Sequence, residues 1–85
     1  MRIASAGNTI VPAYLLIREK GYAVRKSAHA NAEETWYAEK GDVQLIAEDP
    51  LTLLGLVALY EARGGDWKAK DEEIEAFVRK FQRDT

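Results

Sequence analysis

Two stretches, 10–17 and 51–60, are apolar on almost every side of the helices they would form. In the first, Ile10, Val11, Ala13, Tyr14, Leu15, Leu16 and Ile17 cover nearly the whole circumference; in the second, Leu51, Leu53, Leu54, Leu56, Val57, Ala58, Leu59 and Tyr60 do the same. A helix that is hydrophobic all round must be covered all round. A chain of 85 residues has room for a single core, so residues 1–85 are read as one compact domain. A small sheet hides one side of each helix. The remainder must be hidden by the helices themselves, by a third helix or by another molecule.

Local signals place these helices in an α+β frame. Gly7-Asn8-Thr9 precedes the first helix with capping residue types, Pro12 falls in its first turn, and Gly21 closes a helix expected over 10–20. Residues 22–27 read as a strand with Tyr22, Val24 and Lys26 on one face. Gly41-Asp42 is a two-residue hairpin signal between 35–40 and 43–48, setting Ala38 opposite Leu45 and Trp36 opposite Ala47. One face of that hairpin is then apolar (Trp36, Ala38, Val43, Leu45, Ala47) and the other largely wet. Asp49-Pro50 opens the second helix as N-cap and N1, and Gly64-Gly65 ends it. Asp66 or Asp71 is expected to cap a third helix, whose Ile74, Phe77, Val78 and Phe81 recur at i, i+3, i+4 and i+7. Residues 2–6 are short and apolar and form an optional first strand. The expected architecture is a mainly antiparallel sheet of three to four strands with three helices on one face, in the order (β)αβββαα.

Composition narrows the function classes. No cysteine is present, which removes disulfide frameworks, thiolate metal sites and cysteine nucleophiles. The one histidine, His29, stands in a polar loop over 28–33 with no residue at fixed spacing to pair with it. Glu33-Glu34 and Asp71-Glu72-Glu73-Glu75 are carboxylate clusters without a D-x-D-x-D-G loop, and the second is explained by the positive end of a helix dipole. No metal or cofactor is expected, and no catalytic residue is assigned. The run 51–62 is too short to span a bilayer, which takes about 20 residues. With no secretory signal or lipidation motif legible, the expectation is a cytoplasmic protein.

Three functional readings follow. The first is a non-catalytic protein–protein interaction module of the regulator, inhibitor or immunity type, binding another protein or a second copy of itself through surplus apolar helix surface. Its candidate contacts are Tyr14, Leu53, Val57 and Tyr60, with Trp67 either seating the second helix on the third or standing exposed as an anchor. Arg18, Lys20, Arg25 and Lys26 form a basic rim: residues 1–30 hold five basic side chains against one acidic, and the rest of the chain seven against thirteen. The second reading is a small anion- or nucleotide-binding protein or enzyme, using Ser5, Gly7, Asn8 and Thr9 at a helix N-terminus. That segment matches neither phosphate-loop consensus. The third is a nucleic-acid-binding module built on the basic group, against which a net charge of −2 counts.

Overall fold

The computed structural model describes residues 1–27 and 34–81. The loop containing His29 and Glu33, and the residues beyond 81, lie outside the described residues. Chain order is α1 (Ile10–Glu19), β1 (Ala23–Ser27), β2 (Thr35–Lys40), β3 (Val43–Ala47), α2 (Pro50–Arg63) and α3 (Asp71–Phe81), with short 3₁₀ turns at Gly7–Thr9 and Gly64–Asp66. The fold is α+β, with three helices and a three-stranded antiparallel sheet in the order β1-β2-β3. The optional first strand does not form: residues 2–5 have no regular structure and are exposed, Ile3 included. This segment runs instead beside α1 and α2, where Ile3 and Ala4 line an open pocket with Leu16, Leu51 and Leu54.

Local chemistry explains most boundaries. Asp49 accepts the Thr52 backbone N–H at 2.8 Å and the Thr52 hydroxyl at 3.0 Å, so it is the N-cap of α2, with Pro50 behind it in the first turn. Gly64 ends the helix at φ 68°. At the end of α1, Gly21 sits at φ 93° and donates to the Arg18 carbonyl, while the Tyr22 N–H donates to that of Ile17. This is the Schellman arrangement, and its two flanking side chains, Ile17 and Tyr22, both enter the core. Gly41, at φ 60°, takes the first central position of the hairpin turn, and the register pairs Ala38 with Leu45 and Trp36 with Ala47.

The third helix is capped differently from expectation. The Lys70 carbonyl accepts from the Ile74 N–H, which makes Lys70 the N-cap residue, and Glu73 reaches back to accept the Lys70 N–H at 2.8 Å. This is the return half of a capping box, and neither Asp66 nor Asp71 supplies the cap.

The core is small and lies between the sheet and the α1–α2 pair. Ile17, Tyr22, Ala38, Leu53 and Val57 are buried together, with Val24, Trp36, Leu45, Ala47 and Leu54 packed against them. Among the described residues α3 contributes nothing to this core: all eleven of its residues are exposed and it shares no extensive contact with another element. The Cα radius of gyration is 15.6 Å. A compact chain of this length would have about 12 Å. Among the described residues no helix is long and apolar enough to cross a membrane.

Candidate interaction surface

The question posed by the two greasy helices has a mixed answer. On α1 the inward stripe is Ala13 and Ile17, leaving Val11, Leu15 and Leu16 exposed. On α2 the inward stripe is Pro50, Leu53 and Val57, while Leu56, Leu59 and Tyr60 are half-buried along its flank. Leu53 and Val57 were expected among the partner contacts; both are fully buried, because they face the sheet, and they belong to the core. Tyr14 and Tyr60 keep part of their surface.

Beside that flank of α2 the sheet ends in β3, an edge strand whose sequence, Val-Gln-Leu-Ile-Ala, carries no charge. The opposite edge, β1, carries Arg25 and Lys26. Charged side chains are the usual guard of a sheet edge, so β1 is protected and β3 is not. Val43, Leu45, Leu56, Leu59, Tyr60 and Trp67 line an open groove of about 480 Å³ between β3, α2 and the glycine turn. Trp67, 47% exposed, forms one end of it and does not clamp α2 onto α3.

The second apolar surface is α3 itself. Ile74, Phe77, Val78 and Phe81 are all exposed, Phe77 at 53% and Phe81 at 66%. The two phenylalanine rings meet each other, 5.2 Å apart and tilted by 47°, and the Lys80 ammonium lies 5.4 Å from the Phe81 ring centre. An ion pair of Arg63 Nη2 with Glu73 Oε1, at 3.2 Å, ties the first turn of α3 to the end of α2. The Glu73 carboxyl is held below its ordinary value by the Lys70 N–H bond first and by Arg63 second. The third helix, one of the covers the sequence allowed for the α1–α2 surplus, does not supply it: among the described residues its stripe is additional exposed surface, and its first turn meets the end of α2 through the Arg63–Glu73 pair.

The remaining candidates are locally satisfied. Lys20 pairs with Glu61 at 2.9 Å, Arg25 with Glu39 at 3.2 Å, and Lys26 with Glu34 at 2.7 Å. Arg18 donates to the Tyr14 hydroxyl at 3.0 Å. Arg25 also lies 3.9 Å over the Tyr37 ring, and Gln44 donates to Glu39 at 2.7 Å, so the open sheet face is a knit polar layer. The basic rim is thus a set of engaged charges on a polar surface. At 5–9, Thr9 turns both its N–H and its hydroxyl onto the Ala6 carbonyl, Ser5, Gly7 and Asn8 are exposed, and Asn8 and Thr9 border an open, mostly apolar pocket with Ile3, Leu16, Leu51 and Leu54. This is the geometry of a turn leading into a helix. Among the described residues no cluster of three potential metal ligands occurs.

No family model matches this sequence, and no curated protein or solved structure is significantly similar to it. The groove is the feature that sequence reasoning missed. Its sequence signal was the absence of charge from 43–47, set beside the basic 25–26 of the other edge strand.

Proposed function

We propose that this chain is a small non-catalytic protein–protein interaction module, of the regulator or inhibitor kind, that acts through α3 and the groove beside β3. The observation that supports this reading is the exposed stripe of α3. An isolated helix of eleven residues is marginal in water, and its stability in a protein comes from burying its apolar face. Four apolar side chains in a row with no core beneath them match the helix-in-groove mode of recognition, read through i, i+3, i+4 and i+7 anchors.

Thiol accessibility tests the reading directly, because the chain has no native cysteine. In dilute protein, Phe77→Cys reacts with a thiol reagent at nearly the rate of a free thiol, while Ala38→Cys in the core is protected. Protection of Phe77→Cys at low concentration would mean that the stripe packs on its own body, and the reading would be wrong.

A further inference from the structure

Resting on that interaction reading, we propose that the occupant of the groove is α3 of a second copy, exchanged reciprocally across a two-fold axis. Three observations converge on this. First, α3 leaves the body directly from the groove: Trp67 lines it, and only Lys68, Ala69 and Lys70 separate that side chain from the helix. Three residues reach about 10 Å at full extension. The partly exposed Arg63–Glu73 ion pair, at 3.2 Å, links the first turn of α3 to the end of α2. A short hinge of this kind disfavours folding back onto the same body and favours exchange with an identical neighbour.

Second, area decides between the possible two-fold contacts. The stripe keeps roughly half of the surface of two phenylalanines and two aliphatic residues, on the order of 400 Å² per copy. Two stripes pressed on each other would bury about 800 Å² in all, below the ~1,200 Å² at which stable interfaces begin. Seating each stripe in the other copy's groove covers groove lining as well as stripe on both sides of the two-fold axis, so the total exceeds that of stripe on stripe. Third, stripe and groove are chemically matched. Phe77 and Phe81 meet a wall of Leu56, Leu59 and Trp67, and among the described residues no charged side chain lines the groove. The contact is isologous: the helix and groove of each copy are both used.

Sedimentation equilibrium on the full chain over low to high micromolar concentration gives the test. The mass should rise from 9.5 kDa toward twice that value. Phe77→Asp on the helix and Trp67→Ala in the groove should each weaken association at least tenfold, and circular dichroism should show both variants folded. Mixing the two variants should restore association above that of either alone, since the mixed dimer keeps one intact helix against one intact groove. A chain that stays monomeric overturns the proposal, and so does Trp67→Ala associating like the parent. A mixture no tighter than its components overturns it as well, because direct pairing of two α3 helices cannot complement. A monomer whose Phe77→Cys thiol still reacts freely would remove the second copy as partner while leaving the interaction reading standing.

Discussion

Replacing Phe77 by alanine separates an exposed helix from a core helix by an effect of several kcal/mol. Truncating a phenylalanine in a packed core costs about 3–5 kcal/mol, from lost transfer energy and the cavity left behind. Phe77 is half exposed, and the ring contact it makes is with Phe81 one turn along the same helix. Such an i, i+4 pair is worth about 0.2–0.5 kcal/mol. Alanine also recovers about 0.5 kcal/mol through its better helix propensity, so the two terms nearly cancel. Leu53→Ala is the internal standard: its side chain is fully buried between α1, α2 and the sheet, and its loss costs about 2–5 kcal/mol. In urea, with a slope of about 1 kcal/mol/M for a domain this small, Leu53→Ala lowers the midpoint by about 2 M or more. Phe77→Ala leaves it within about 0.5 M. The experiment is run on low-micromolar protein, so that association does not contribute. A drop of more than about 1 M for Phe77→Ala would place that ring in the core of its own chain and refute the reasoning.

Two further predictions concern helix ends. Asp49→Ala removes the acceptor for the Thr52 N–H at the start of α2 and should cost about 1 kcal/mol in urea unfolding, most of it recovered by Asp49→Asn. Glu73 is a carboxylate whose value is depressed in the folded chain, so its contribution to α3 is complete above the ordinary glutamate value of 4.5 and is lost as pH falls through the folded value. Helical circular dichroism from α3 should therefore decline below pH 4.5 in the parent. In Glu73→Gln, whose amide oxygen accepts from Lys70 at any pH, that part of the titration should be absent.

Features set by near neighbours in the chain were legible from sequence. The hairpin register follows from Gly41-Asp42, the ends of α2 from Asp49-Pro50 and Gly64, and the stop of α1 from Gly21. Each depends on a few adjacent residues and on backbone angles that only certain side chains allow. Features that depend on tertiary partners were not legible. Periodicity showed that Ile74, Phe77, Val78 and Phe81 share one helix face, but amphipathicity states a need for cover without saying what supplies it. The same gap separated Leu53 and Val57, which the sheet buries, from Leu56 and Leu59, which it leaves at the groove. The basic residues looked like a patch because their acidic partners, Glu39 and Glu61, come from other elements of the fold.

The central claim is that the apolar stripe of α3 is free of its own body and available to another. Small-angle scattering, extrapolated to infinite dilution, measures this most directly. The account predicts a radius of gyration near the 15.6 Å of the structure, with a helix standing off a compact body. A value near the ~12 Å of a fully compact chain of this length would show α3 folded onto its own core and would contradict the account.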